Sequence, residues 1–148
     1  MKEVRVAHIE ELNKTAEEFL RDLDPEEKAV VVGLSGNLGA GKTAFVKEVA
    51  RVLGVTGEIT SPTFVIQKNY DIDFHGFKTL VHIDAYRLEK GEDMKPLKFK
   101  DTLADKNNLV LIEWPEKIES ILPKATRKIV FETIDPTTRK LTFYGKDE

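Results

Sequence analysis

The residues best suited to chemistry form one glycine-rich segment, Gly36 to Thr43, which reads GNLGAGKT. It matches the phosphate-binding pattern G-x-x-x-x-G-K-[ST]. In such a loop glycines let backbone N–H groups approach phosphate oxygens, the Lys (here Lys42) reaches the β- and γ-phosphates, and the hydroxyl of the last residue binds Mg²⁺. The alternative is a glycine-rich turn with a solvated Lys42. The predicted nucleotide-binding positions are Gly36, Asn37, Leu38, Gly39, Ala40, Gly41, Lys42, Thr43 and Ala44.

The segments on either side of this loop have the pattern that the motif requires. Ala29 to Leu34 is an uninterrupted apolar run, typical of a strand buried on both faces. Ala44 to Leu53 has apolar residues at helical spacing, and Gly54 follows where a helix commonly ends. We therefore expect a strand, the loop and a helix in succession.

A second apolar run, Leu109 to Ile112, ends in Glu113. A buried strand that delivers a carboxylate at its end has the form of a Walker B element, in which the acid helps to hold Mg²⁺ or orients the attacking water. Strands of an open α/β sheet gather their ligands at their carboxyl ends, so Glu113 is predicted to share a crevice with the loop. Trp114 follows directly; it could stack on a base, but partly buried packing is the favoured interpretation.

A third candidate group lies on the predicted strand Phe77 to Tyr86. Alternation places Val81, Ile83 and Ala85 on one face, and places His82 and Asp84 together on the other. Spacing alone leaves two interpretations open: His82 and Asp84 are functional residues, or they lie on the solvent-exposed face of an antiparallel strand.

The remaining elements complete an α/β pattern. We predict an edge strand Lys2 to Ala7, a helix with apolar positions from Leu12 to Leu23, a strand Phe64 to Tyr70 antiparallel to the next one, and closing strands Arg127 to Thr133 and Leu141 to Tyr144. The segment Lys90 to Lys106 is predicted as loop and short helix. The expected fold is a three-layer domain of the P-loop NTPase type, with a mixed, partly parallel central sheet and helices on both faces. Residues 1–148 are expected to form this single domain.

Composition limits the classes of function. The chain has no Cys, which excludes disulfides and thiolate metal sites, and its net charge of −3 gives no overall attraction for nucleic acid. No apolar run approaches the ~20 residues of a membrane span, and the N-terminus has no signal-peptide pattern. We expect a cytoplasmic protein without membrane or DNA partners. Lys95, Lys98 and Lys100 form a small basic cluster, which a solvated surface explains better than a contact with a partner or with RNA phosphate.

Four short motifs follow one another along the chain: GNLGAGKT at Gly36, TSPTF at Thr60, HIDAYRL at His82 and LIEWPE at Leu111. Together they resemble the TsaE family, the small ATPase of bacterial tRNA threonylcarbamoyladenosine biosynthesis. The resemblance implies that Lys42 and Thr43 bind phosphates and Mg²⁺, and that Thr63 lies in a switch-like loop facing the γ-phosphate. It also implies that Asp84 and Glu113 are the acids at the metal and the attacking water. The chain has Asn37 where an acidic residue is common in the family.

The expected activity is Mg²⁺-dependent hydrolysis of ATP to ADP and phosphate, with Lys42, Asp84, Glu113 and Thr63 as catalytic residues and with Thr43, Glu113 and Asp84 at the metal. The resemblance implies partners of the TsaD and TsaB type, with any contact to tRNA indirect. Arg87 could act as an arginine finger or could pair with a neighbouring acid. Two other activities stay open: a small-molecule kinase of P-loop type, and an ATP-sensing binding module with negligible turnover.

Overall fold

The computed structural model describes residues 1–56, 66–89, 93–94, 98–146 and 148. Thr63, Phe64, Val65 and Lys95 lie outside these ranges, so the predictions made for them are not addressed by the structure. Within the described residues, no helix combines the length and the apolar character needed to cross a bilayer.

The described residues contain one seven-stranded sheet with the order β1-β7-β6-β2-β5-β4-β3. The strands are β1 (Lys2–Val6), β2 (Val30–Ser35), β3 (Gln67–Phe74), β4 (Phe77–Asp84), β5 (Asn108–Glu113), β6 (Arg127–Asp135) and β7 (Thr138–Tyr144). The helices are α1 (Ile9–Arg21), α2 (Lys42–Val52), α3 (Phe99–Ala104) and a 3₁₀ segment, Pro115–Ile121.

The middle of the sheet is parallel and its edges are antiparallel. Strand β2 pairs in parallel with β5 and β6, and β5 pairs in parallel with β4. The pairs β1–β7, β6–β7 and β3–β4 are antiparallel. The carboxyl ends of β2, β5 and β4 therefore meet at one edge of the sheet, where ligands of open α/β sheets bind.

Helices cover both faces of this sheet. Leu20 of α1 and Phe45 of α2 pack with alternate strand residues such as Leu111 in one core. On the other face, Phe99 of α3 and Ile118 of the 3₁₀ segment pack against the intervening strand residues. The α/β class, the mixed and partly parallel sheet and the helices on both faces are confirmed.

One predicted strand differs in its bounds. The prediction ended the strand at Tyr70, whereas β3 continues to Phe74 through Asp71 and Asp73. Because β3 is the last strand of the sheet, its polar side chains can face solvent while Ile72 alone is fully buried. The predicted strand Phe77 to Tyr86 ends earlier, at Asp84, because the chain turns there: Leu88 N donates to Ala85 O at 3.0 Å.

Candidate functional site

The glycine-rich loop connects β2 to α2, as predicted. Its first glycine, Gly36, has φ 151°, and a Cβ there would lie 2.6 Å from the backbone oxygen of Phe131 in the neighbouring strand β6. Its last glycine, Gly41, has φ 103° and forms the N-cap of α2. Side chains at these two positions would strain or displace the loop, so glycine is required by the backbone path.

The N-terminus of α2 is open to an anion. Among the described residues no side chain caps it, and its first turn contains no acidic residue. The first backbone N–H groups of a helix have no partner within the helix, and the helix dipole adds partial positive charge there. Together with the loop, this end of α2 forms a cradle suited to phosphate.

Lys42 is held inside the site rather than extended into solvent. Its side chain is 4% exposed, its Nζ donates to the backbone oxygen of Gly36, and the same Nζ lies 3.4 Å from the centroid of the Trp114 ring. Burial lowers the pKa of Lys42, while the carboxylates of Glu113, Glu116 and Asp84 act in the opposite direction. The ammonium group is thus largely removed from water and is stabilised by a hydrogen bond to a carbonyl oxygen and by a cation–π contact.

Glu113 lies at the end of β5 and is 3% exposed. Both of its carboxylate oxygens have partners: Thr43 Oγ1 donates to Oε1 at 2.8 Å, and His82 Nε2 lies 2.6 Å from Oε2. The predicted proximity of Glu113 to the loop is therefore confirmed, through Thr43.

Asp84 lies at the end of β4, next to Glu113 in the parallel register. Its Oδ1 accepts a hydrogen bond from the backbone N–H of Tyr86 at 3.0 Å, and the residue is half-buried on the pocket wall. The structure thus brings two carboxylates together at the carboxyl ends of adjacent strands, as the family resemblance implied.

The interpretation of His82 as part of a solvated strand face is wrong. His82 is 0% exposed, because β4 is an internal strand, paired with β3 on one side and with β5 on the other. Its register partner is Leu111, which belongs to the core beneath α1 and α2. The face shared by His82 and Asp84 is therefore covered by helices, and only its carboxyl end opens into the site.

Trp114 packs against the core and also contacts the loop lysine. It is half-buried and packs against the core on the α3 side, which confirms the packing interpretation. Its contact with Lys42 was missed, and so was the ring of Tyr86, whose centroid lies 5.0 Å from that of Trp114. The available signal was the position of Trp114, directly after the carboxylate at the end of β5.

These residues surround an open pocket of about 500 Å³. That volume lies within the usual range of about 300–1,000 Å³ for small-ligand sites. Its described lining includes part of the loop, the two carboxylates and four residues not assigned to nucleotide binding from the sequence: Ile66, Tyr86, Arg87 and Trp114. Arg87 lies on the turn after β4 and is exposed.

The donor set fits Mg²⁺ bound together with a nucleotide. Thr43, Glu113 and Asp84 offer hydroxyl and carboxylate oxygens, the hard ligands that Mg²⁺ prefers. In the described part of the chain, no group of three or more His, Cys, Asp or Glu side chains could hold an ion. In phosphoryl-transfer sites Mg²⁺ is usually bound by one or two carboxylates together with substrate phosphates and water, rather than by protein ligands alone.

Comparisons with known proteins point to one family. The family described as Threonylcarbamoyl adenosine biosynthesis protein TsaE matches residues 6–141. The chain is 41% identical over 117 residues to the tRNA threonylcarbamoyladenosine biosynthesis protein TsaE of Treponema pallidum, covering 79% of this chain and 82% of that protein. It is 39% identical over 114 residues to the protein of the same name from Bacillus subtilis, covering 76% of this chain and 68% of the relative.

A solved structure extends the similarity to the whole fold. The crystal structure of YdiB from Bacillus subtilis superposes with a TM-score of 0.77 at 30% sequence identity, covering 97% of this chain and 84% of YdiB. The sequence and the fold thus agree with one another, and the chain belongs to the TsaE family.

Proposed function

We propose that this chain is a Mg²⁺-dependent ATPase that serves as an accessory subunit in the formation of N6-threonylcarbamoyladenosine in tRNA. The observation that carries the ATPase proposal is the contact between Thr43 Oγ1 and Glu113 Oε1, which joins the phosphate cradle to a carboxylate. The names of the TsaE relatives support the tRNA-modification part. The chain contains no Asn-Lys-x-Asp tetrad for reading guanine, which favours ATP over GTP.

The phosphate chain would lie over the loop and the open N-terminus of α2. Backbone N–H groups of the loop would donate to the β-phosphate, and Lys42 would leave the Gly36 carbonyl and the Trp114 ring to reach the γ-phosphate. A cation already removed from water interacts more strongly with phosphate than a solvated one does. Lys42 would thereby stabilise the charge that develops on the transferred group.

Thr43 and Glu113 would hold Mg²⁺ beside the β- and γ-phosphates, because their oxygens already meet at the start of α2. When bound, the ion would neutralise part of the phosphate charge during transfer. Both acids line the pocket, and Asp84 is the better placed to orient water because it is more exposed than Glu113. This division of roles gives each carboxylate a distinct mutant phenotype.

We further propose that hydrolysis drives a step in a larger assembly with partners of the TsaD and TsaB type, in the cytoplasm. The net charge of −3 argues against direct tRNA binding by this chain, so contact with tRNA would be indirect. The isolated chain is expected to turn over slowly, with partners completing the site.

The test is incubation with γ-³²P-labelled ATP and Mg²⁺, alone and with TsaD-type protein, TsaB-type protein and tRNA. Release of free phosphate that the partners stimulate would support the proposal. Label on a small acceptor would instead indicate a kinase, and nucleotide binding without release under every condition would indicate a sensing module. Either of these results would overturn the ATPase assignment.

A further inference from the structure

We infer that His82 is a positioning residue that fixes the orientation of the Glu113 carboxylate. This inference rests on the proposed function, since it assigns His82 a part in the same hydrolytic site. The observation behind it is the 2.6 Å separation between His82 Nε2 and Glu113 Oε2, in a place where His82 is 0% exposed and Glu113 is 3% exposed.

The sheet register explains how the two side chains meet. His82 is opposite Leu111, and Glu113 lies two residues further along β5, on the same face. Glu113 is therefore a diagonal neighbour of His82, and a long side chain spans that separation. Both strands are internal, so the backbone holds the pair in one arrangement.

The two oxygens of Glu113 are held by donors from two different elements. Thr43 at the start of α2 donates to Oε1, and His82 on β4 donates to Oε2 when Nε2 carries the proton. A carboxylate held at one oxygen can still rotate about its last torsion, which is broad in Glu. The second donor removes that freedom and presents Oε1 to the loop.

Among the described residues, His82 makes no side-chain hydrogen bond other than the one to Glu113. Its Nδ1 is buried and has no hydrogen-bond partner among them. An imidazole in an apolar core is costly when half of its polar atoms are unsatisfied, and an apolar side chain would pack there at lower cost. The polar contact of this ring in the described structure is thus directed at Glu113.

Two variants of similar length separate positioning from packing. His82→Gln keeps an N–H donor within reach of Glu113, whereas His82→Met fills similar space without one. We expect His82→Met to lower kcat for ATP hydrolysis by about 10–100-fold, the usual effect of losing a residue that orients a metal-site ligand. At saturating Mg²⁺, KM for ATP should stay within about twofold, because the phosphate cradle is intact, and His82→Gln should recover most of kcat.

A second measurement does not depend on activity. In the nucleotide-free, metal-free protein, the imidazole N–H of His82 should give a slowly exchanging downfield proton resonance in NMR spectra, because it donates to a buried carboxylate. The chain has only three His residues, so absence of this signal in His82→Gln assigns it. Glu113→Gln should move it upfield, because a neutral amide oxygen is a weaker acceptor.

The outcomes are distinct. Normal kcat in His82→Met, an equal loss of kcat in both His82 variants, or a His82 signal unaffected by Glu113→Gln would overturn the inference. Hydrolysis that survives in Glu113→Gln would overturn the proposed function itself. Loss of hydrolysis in Glu113→Gln combined with normal kcat in His82→Met would overturn the His82 inference alone.

Discussion

Thr43 and Glu113 are separated by 70 positions in the chain, yet the Thr43 hydroxyl donates to Glu113 Oε1 at 2.8 Å. Thr43 lies in the first turn of the helix that follows the loop, and Glu113 ends the strand next to β2. This hydrogen bond joins two motifs that would otherwise be only neighbours along the edge of a sheet.

Lys42→Met should abolish tight nucleotide binding without destabilising the protein. Burial disfavours the charged form of Lys42, so replacing it with an apolar side chain of similar length removes the desolvation cost of that charge. This gain should offset the loss of the contact between the ammonium group and Trp114. We expect the nucleotide-free variant to be as stable as wild type or more stable by up to about 1–2 kcal/mol. Chemical denaturation and calorimetric titration with ADP measure the two effects. A loss of stability above about 1 kcal/mol would contradict this account of Lys42.

The same substitution predicts a pH dependence. The pKa of Lys42 is lowered in the folded protein, so the cost of its charge is fully present below that pKa and is relieved as pH rises through it towards the unfolded value of about 10.4. Wild type should therefore gain stability relative to Lys42→Met as the buffer becomes alkaline. Unfolding of both proteins across that pH range measures the difference. A difference that stays constant with pH would argue against a lowered pKa.

Gly36→Ala should damage both the fold and the loop. The new Cβ would lie 2.6 Å from the backbone oxygen of Phe131, at a φ of 151° that L side chains rarely adopt. We expect a loss of about 1–3 kcal/mol in the free energy of unfolding, with weaker ADP binding. Gly39→Ala is the matched control, since its Cβ would meet nothing within 4 Å and only its positive φ would be strained. Equal stability of Gly36→Ala and wild type would show that β6 does not constrain the loop.

Trp114 should report on phosphate binding. It is the only Trp in the chain, and Lys42 Nζ lies 3.4 Å from its ring centroid. If a bound phosphate draws the ammonium group away, the emission of Trp114 should change on addition of ADP or ATP but not of adenosine, which has no phosphate. Lys42→Met should show no such response. An equal change with adenosine would mean that the base, and not the phosphate, affects the indole.

Arg87→Ala tests the proposed arginine finger. Arg87 follows β4 and lines the pocket that the loop and the two carboxylates surround. We expect kcat in the presence of partners to fall by more than about tenfold, with KM for ATP little changed. Arg21→Ala at the end of α1 is a control, because Arg21 is an exposed residue that does not line this pocket. Unchanged hydrolysis with and without partners would exclude the finger role.

The sequence alone was sufficient to predict the glycine-rich loop, its flanking strand and helix, and the strand that ends in Glu113. Spacing of glycines and apolar residues located the loop and its flanking strand and helix, because the backbone path needs glycine at positions such as Gly36 and Gly41. The apolar run before Glu113 located the second strand. The rule that ligands gather at the carboxyl ends of strands then placed Glu113 beside the loop, whereas Asp84 was assigned to the site only through the family resemblance.

Features that depend on which strands are neighbours were not predictable. Burial of His82 follows from β5 lying beside β4, and two residues on one strand carry no information about that pairing. The contact between Lys42 and Trp114 joins segments far apart in the chain and depends on the same order of strands. For a similar reason β3 extends past Tyr70, because an edge position tolerates acidic residues that resemble a turn in sequence.

The central claim is that the loop and the strand-end carboxylates form one hydrolytic site, and the most direct test compares Glu113→Gln and Asp84→Asn with wild type. One assay measures phosphate release from ATP in the presence of Mg²⁺. The other measures nucleotide affinity with and without Mg²⁺. Both variants should lose hydrolysis by at least about 100-fold while binding ADP in EDTA as tightly as wild type does. Only Glu113→Gln should also lose the gain in nucleotide affinity that Mg²⁺ provides. Wild-type hydrolysis in Glu113→Gln would contradict the claim that the loop and the strand-end carboxylate form one hydrolytic site.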